Sequence, residues 1–294
     1  MKANQATYPV RAMCRVLQVS HSGYYAWLKR RPSARSCEDA RLLRIIREAH
    51  RRSGCSYGAP RIRWELALEH GCAVGQKRVA RLMCAAGLRG ITRRRYVRTT
   101  RADAYAAPAA DQVQRAFQAP RVNRLWVADF TYIPTGTRWL YLAIVLDVYS
   151  RRVVGWSMRE DMTAALVMEA LRMALRRRPG PGLIHHSDHG VQYSCEDFRR
   201  LCAAHGVSIS MGSAGDAYDN AMAESFFATI KCELIHRRQF ATPTEARNEI
   251  FGYIEGWYNR RRRHSALNYL APMEYERRMA HSQIRKILTV HRSG

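Results

Sequence analysis

The apolar positions of the middle of the chain change period several times. Leu125–Pro134, Trp139–Tyr149 and Arg152–Met158 are short runs rich in β-branched and aromatic residues with turn residues between them, which predicts three strands in an antiparallel meander. Helical spacing follows over Thr163–Arg178, then a short apolar strand at Gly182–Ser187, a helix at Cys195–His205 and a strand at Val207–Met211. A last helix spans Asn220–Leu234, with Ala223, Phe226, Phe227 and Ile230 spaced for packing. The order β-β-β-α-β-α-β-α predicts an α/β fold, a mixed sheet with helices on its faces.

The first hundred residues keep the helical period. Pro9–Leu17 and His21–Lys29 flank the break Gln18, Val19, Ser20, a pair of helix-turn-helix size carrying Tyr24, Tyr25 and Trp27. After the break at Arg31–Arg35, Ser36 followed by Asp39 predicts a capping box for a helix running to about Arg52. A second pair covers Ala59–His70, closed by Gly71, and Gln76–Ala86, closed by Gly87. Val79, Leu82 and Met83 share one face of its second helix, and Gln76, Lys77, Arg78 and Arg81 fall on the other, as a solvated face or a DNA contact. Leu88–Asp111 loses periodicity, with Arg93, Arg94, Arg95, Arg98 and Arg101 followed by the Ala- and Pro-containing run Ala104–Ala110. The expected organisation is a helical basic region at 1–103, a linker at 104–120, a core at 121–250 and a basic tail at 251–294.

Charge sharpens this division. The 294 residues carry 49 Lys and Arg against 24 Asp and Glu, a net +25 that calls for a polyanionic partner, and nucleic acid leads. Residues 1–110 hold 23 basic and 6 acidic side chains, 111–250 hold 17 and 15, and 251–294 hold 9 and 3. Concentrating acids in the middle of a basic chain suits a metal-dependent nuclease better than a simple DNA-coating protein. No segment offers a signal-peptide core or about 18 uncharged apolar residues, so a cytoplasmic protein, nucleoid-associated when bound to DNA, with no membrane partner is expected. The 8 cysteines include no Cys-x-x-Cys pair and read as mostly buried thiols.

Three carboxylates stand in unusual company. Asp129 lies inside the apolar strand Leu125–Phe130, Asp188 ends the strand beginning at Leu183, and Glu224 is flanked on its helix by Ala221, Met222, Ala223, Phe226 and Phe227. Burying such charges costs several kcal/mol unless they are paired or metal-bound, so a divalent cation is the natural compensator. An all-oxygen donor set selects Mg²⁺ or Mn²⁺. Lys231 lies two helical turns beyond Glu224 on the same face, where an ammonium can meet a phosphate. His185, His186 and His189 crowd Asp188 and are ligands, substrate contacts or packing residues; Asp147 is a metal contact or a turn cap. Ser187 and Ser225 lack the Gly-x-Ser-x-Gly context of a serine nucleophile.

The stretches Trp126–Ile133, His185–Tyr193 and Tyr218–Phe227, with thirty-five residues between Asp188 and Glu224, resemble the transposases of the IS-three insertion-sequence family, specifically its second-frame (OrfB) product, with a retroviral-integrase-like core. Leu146–Trp156, Tyr57–Leu88 and Trp257–Leu267 extend the resemblance over nearly the whole chain. Ala128 and Val191 depart from the common pattern at positions that supply no metal ligand.

The resemblance implies a ribonuclease-H-like catalytic core preceded by an all-α helix-turn-helix region. It implies Asp129, Asp188 and Glu224 as a catalytic, metal-binding triad, with Lys231 as a family basic residue. Two Mg²⁺ or Mn²⁺ per site are expected, one activating water or a 3′-hydroxyl and one stabilising the leaving oxygen. Lys231, Lys77, Arg78, Arg81 and, in the Arg260–Arg263 run and its neighbour, Arg262, Arg263 and His264 are the expected DNA contacts. The implied substrates are the terminal inverted repeats and target DNA. The implied partners are an upstream-frame product, separate or fused, and further copies of the chain on DNA. No zinc module is expected. The rival readings are a ribonuclease-H-like nuclease without strand transfer and a catalytically silent DNA-binding regulator.

Overall fold

The computed structural model describes residues 1–92, 119–136, 138–178, 182–211 and 220–290. Most of the expected linker, the residues Arg93, Arg94, Arg95, Arg98 and Arg101 that precede it, and Tyr218 and Asp219 of the third motif lie outside the described residues. No helix among the described residues is long and apolar enough to cross a membrane.

Five helices open the chain: α1 (Val10–Val16), α2 (His21–Lys29), α3 (Ala34–Arg52), α4 (Ala59–His70) and α5 (Gln76–Ala85). The cap of α3 is Ser33, not Ser36: its Oγ accepts from the Ser36 amide at 3.2 Å. Asp39, expected in a capping box, instead receives Arg78 at 2.7 Å and Arg81 at 2.6 Å, tying α5 to α3. Gly71 closes α4 at φ 62, a left-handed conformation that costs glycine little. Leu42, Ile46, Ile62, Leu66, Val79 and Leu82 form one small core between α3, α4 and α5. By contrast, α1 and α2 bury only Cys14 and Tyr24, and leave Val16, Leu17, Val19 and Trp27 exposed.

The middle folds as a five-stranded sheet of order β3-β2-β1-β4-β5, with β1 (Leu125–Pro134), β2 (Trp139–Asp147), β3 (Val153–Arg159), β4 (Leu183–Ser187) and β5 (Val207–Met211). The meander β1-β2-β3 is antiparallel, β4 pairs with β1 in parallel and β5 with β4 in parallel, each reached through helical connections. Alternate residues face two separate cores. Leu125, Val127, Ile133, Leu142 and Ile144 pack under α9 (Ala221–Glu233) and α10 (Pro243–Phe251). Trp126, Ala128, Ala143 and Val145 pack under α6 (Ala164–Arg177) and α8 (Glu196–Ala204), beside the single turn α7 (Val191–Ser194). Sheets covered on both faces read as nearly continuous apolar runs, which is the pattern of β1 and β2. At Gly155 on β3, a Cβ would fall 2.2 Å from the Ala170 carbonyl oxygen, so α6 lies on the sheet only because no side chain stands there.

The expected boundary at residue 250 falls inside this packing. After α10 a π-helical stretch, Gly252–Tyr258, sends Tyr253, Ile254 and Tyr258 into the core with Phe226 and Phe227. Asn259 is fully buried and pairs with the backbone of edge strand β3: its Oδ1 accepts from Val153 N at 3.0 Å, and its Nδ2 donates to Val153 O at 2.9 Å. From α11 (Pro272–Val290), Glu276 receives Arg152 at 2.9 Å and Arg178 at 2.5 Å. This segment is a structural part of the core rather than an appended tail.

Candidate active site

β1 and β4 run side by side with Leu125 opposite Ile184, Trp126 opposite His185 and Val127 opposite His186. The same register carried two residues further sets Asp129 beside Asp188, where β4 gives way to its turn. Asp129 shares the face of Leu125 and Val127, the face covered by α9. The start of α9 is fixed to β1 at this point, since Asn220 Nδ2 donates to the Ala128 carbonyl at 3.0 Å. Glu224, in the first turn of that helix, is thereby held over the end of the same strand pair.

The three carboxylates differ in environment. Asp129 is partly covered, whereas Asp188 and Glu224 are exposed, which corrects the expectation that all three are desolvated. Burial, and then the negative charges of Asp188 and Glu224, push the Asp129 carboxyl up to about 7, against the lowering influence of the Phe130 amide, 2.7 Å away, and Lys231. Lys231, half-buried on α9, has its Nζ 5.6 Å from the centroid of the Tyr132 ring on β1, and burial lowers its ammonium pKa. Asp188, Glu224 and Lys231 thus all act electrostatically on Asp129. Among the described residues no three His, Cys, Asp or Glu side chains are already gathered closely enough to hold a metal ion together. The set still fits a hard cation of the Mg²⁺ type, because its donors are all oxygen and Asp129 is left with uncompensated repulsion that a dication would relieve. Such ions keep several waters and bind through few carboxylates.

The neighbouring candidates resolve into other roles. His185 is fully buried against Tyr193 and Phe198, with its pKa pushed down to about 4 by burial, so it is a neutral packing residue. His186 meets Ser210 Oγ at 3.0 Å, and His189 is exposed beside Asp188. Asp147 is the turn cap: it accepts from the amides of Asn123 (2.7 Å) and Ser150 (2.9 Å) and from the Ser150 hydroxyl (3.0 Å).

Tyr193 went without a role in the sequence reading. Its phenol is fully buried, without a hydrogen-bond partner among the described residues, and the charges of Asp129 and Asp188 add to burial in raising its pKa well above the ordinary value. It is therefore a neutral phenol that feels the charge of both carboxylates. A Cβ on Gly190 would stand 3.1 Å from Asp188 Oδ1 and 3.5 Å from Tyr193 Cδ2, so the glycine lets the turn close over that ring. The run of aromatic contacts that fixes Tyr193 is set by packing across the sheet, and no local sequence signal announces it.

The expected DNA contacts divide. Lys77 is exposed; Arg78 and Arg81 spend part of their donor capacity on Asp39. Arg262, Arg263 and His264 are buried, which corrects the expectation that they present cations to DNA. Arg262 is bidentate to Glu233, its closest approach 2.7 Å, and Arg263 is shared by Glu65 (2.8 Å), Glu69 and Glu274 (3.1 Å). His264 packs edge-on to Tyr258. Buried guanidiniums with carboxylate partners hold the fold together and offer nothing to a phosphate.

Family models match three stretches: an HTH-like domain over residues 37–96, an integrase core domain over 119–217 and a further integrase core domain over 205–272. The chain is 43% identical over 264 residues to a 31 kDa protein of insertion element IS600 from Shigella sonnei, covering 90% of this chain and 97% of that protein. It is 39% identical over 280 residues to the transposase InsF of insertion sequence IS3A from Escherichia coli, covering 94% and 96%. Among solved structures, the HTLV-2 integrase catalytic core domain in complex with magnesium (dimeric form) is 16% identical with a TM-score of 0.42, covering 54% of this chain and 99% of that one.

Proposed function

The chain belongs to the insertion-sequence transposases of the IS3 type, with an integrase-type, ribonuclease-H-like core, and from that membership we propose that Asp129, Asp188 and Glu224 are its catalytic, metal-binding triad. The observation that carries the reading is Asp129. It sits on a central strand with its carboxyl pushed up to about 7 by burial and by the other two carboxylates, an upward push that the Phe130 amide and Lys231 only partly offset and that a bound dication would relieve.

Divalent cations, Mg²⁺ or Mn²⁺, when bound there supply Lewis-acid activation of the attacking hydroxyl and charge stabilisation at the scissile phosphate. The chain's own residues do the rest. Asp129, within β1, and Asp188, just past the end of the neighbouring parallel strand β4, would hold the cations, and Glu224 would complete the set from α9. Lys231, steadied against Tyr132, places a positive charge beside the reacting phosphodiester. Tyr193, buried within the electrostatic reach of Asp129 and Asp188, keeps its proton.

Incubating the purified chain with duplex DNA carrying the element's ends, with Mg²⁺ or with EDTA, tests this. Divalent-dependent nicking followed by joining of a 3′ end to a second duplex is the expected result. Nicking without joining would mark a nuclease, and binding without turnover in either divalent ion a regulator. Full selection of terminal repeats is assigned to the chain together with an upstream-frame product, separate or fused, and with further copies of itself. In competition gel shifts the chain alone should favour repeat over scrambled duplex by far less than the roughly 10³-fold of dedicated readers, and the added product should raise that ratio. Full discrimination by the chain alone would end this part of the proposal.

Lys231→Ala should slow nicking by about 10- to 100-fold while changing duplex affinity less than about 2-fold, since one ammonium among many adds little affinity but positions the reacting phosphate. Lys231→Arg should recover part of the rate. Equal losses of binding in both variants would instead make the residue structural.

A further inference from the structure

The run Arg260–Arg263 splits by its local turn. Arg262 and Arg263 go inward, and Arg260 and Arg261 stay exposed on a cleft of ≈ 630 Å³ at the seam where α3 and α4 meet the segment after α10. The rim of the cleft is completed by Arg52 at the end of α3 and Arg277 on α11. Trp257 stands at its base and packs against both the helical core and the core beneath α9. A second cleft of ≈ 410 Å³, which shares Arg52 and Trp257, continues past it with Arg237 and Arg238.

We propose that this cleft is a seat for the phosphodiester backbone of duplex DNA, separate from the carboxylate centre. Three acids line it, and each is already engaged: Glu65, Glu69 and Glu274 converge on the buried Arg263, and Glu274 also receives Arg278 at 2.5 Å. Against Arg263 the three leave the floor at a formal −2, while Arg52, Arg260, Arg261 and Arg277 bring +4 to the rim, so the lining as a whole is net positive. On the rim, Arg260, Arg261 and Arg277 are exposed and have no carboxylate within ion-pair distance among the described residues, while Arg52 is paired only with Glu48. The unpaired positive charge of the rim exceeds what the floor's carboxylates offset and attracts a polyanion, and a planar guanidinium matches phosphate oxygens two at a time. A single small anion would leave most of such a rim unused, whereas a polyphosphate strand uses all of it. The placement rests on the chain's acting on DNA and adds where the helical module and the C-terminal segment grip it together.

The test is binding of a duplex of about 30 base pairs by the full chain in EDTA across a salt series. Arg260→Gln, Arg261→Gln and Arg277→Gln combined should weaken affinity at least about 10-fold near 0.1 M salt and flatten the slope of log K against log salt by about 2 to 3, at roughly 0.9 per phosphate. A control variant, Arg172→Gln, Arg176→Gln and Arg199→Gln, removes the same charge from exposed positions on α6 and α8, and its slope should change by less than about 1. If melting shows the cleft variant misfolded, Arg277→Gln alone should still flatten the slope by about 0.9. A cleft variant that binds like the parent, or equal losses in both triple variants, would overturn the proposal. Since no metal and no turnover enter the measurement, failure of the triad assignment would show only in nicking assays and would leave this result standing.

Discussion

Asp129→Asn is expected to reduce nicking and joining by at least about 10³-fold, equivalent to some 4 kcal/mol of transition-state stabilisation, while metal-free DNA binding stays within about 2-fold. It should also make the metal-free protein more stable at pH 8. The folded carboxyl titrates at about 7 against an ordinary 3.8, so between those values the native state holds a proton that the unfolded chain has released. The stability associated with this group is therefore full below about 3.8 and lost as the pH rises through about 7. Asparagine carries no charge to desolvate, so the variant's melting temperature should lose that dependence and exceed the parent's at pH 8. Adding Mg²⁺ should raise the parent's melting temperature and leave the variant's unchanged. Asp188→Asn and Glu224→Gln should cost similar activity without the stability gain, because both side chains are exposed. Melting curves at pH 5 and pH 8, with and without Mg²⁺, read all three. A turnover undiminished in Asp129→Asn removes that residue from the centre.

Glu233→Leu is expected to destabilise the protein by about 3–5 kcal/mol, the usual consequence of leaving one member of a buried ion pair alone. Glu233 and Arg262 expose only 6% and 4% of their side chains, and the carboxylate also accepts from the Tyr253 hydroxyl at 2.8 Å and lies 3.7 Å from Arg61. Its loss strands a guanidinium and a phenol in the apolar surroundings of α9 and the π-helical stretch. A fall in melting temperature on the order of 10 °C should follow. Replacing both partners, Glu233→Leu with Arg262→Met, should restore most of it, because the expensive item is the unpaired charge rather than the missing attraction. If the double variant melted as low as the single one, the pair would be a net stabiliser in its own right. The Glu233 pKa is held below its ordinary value by Arg262 and the Tyr253 hydroxyl against the cost of burial, so the pair's contribution is present above the ordinary carboxylate range and is lost on acidification below it.

Legibility in the sequence followed the range of the interaction. The five strands and the helices between them were visible because each buries a face with its own period, and their observed limits differ from the predicted ones by only a few residues. The carboxylates were visible because Asp129 and Asp188 interrupt apolar strands. Their unequal exposure was not, since it depends on how far α9 reaches over the end of β1. Ser36 and Asp39 looked like a cap because the spacing is right, but Ser33 lies nearer the break, and Asp39 is worth more to Arg78 and Arg81, some forty residues away. The same limitation misplaced Arg262 and Arg263. Four consecutive arginines read as a solvent-facing patch, and only partners such as Glu65 and Glu233, distant in sequence, turn two of them inward. Asn259 lay within a stretch that carries the family resemblance, but nothing local told its role, because an asparagine that completes the hydrogen bonding of an edge strand is indistinguishable from one in a loop.

That asparagine has a further consequence for synthesis. As the chain leaves the ribosome, β1, β2 and β3 emerge long before the residues that finish them: Asn259 bonds to Val153 across 106 positions and Glu276 to Arg152 across 124. Until then the outer strand presents an open edge and the apolar face awaiting Tyr253, Ile254 and Tyr258 is bare, an invitation to pair with another nascent chain. Contacts of such long range are slow to close. A message truncated within codons 250 to 276 would therefore release a polypeptide containing all three carboxylates and destined for proteolysis or aggregates.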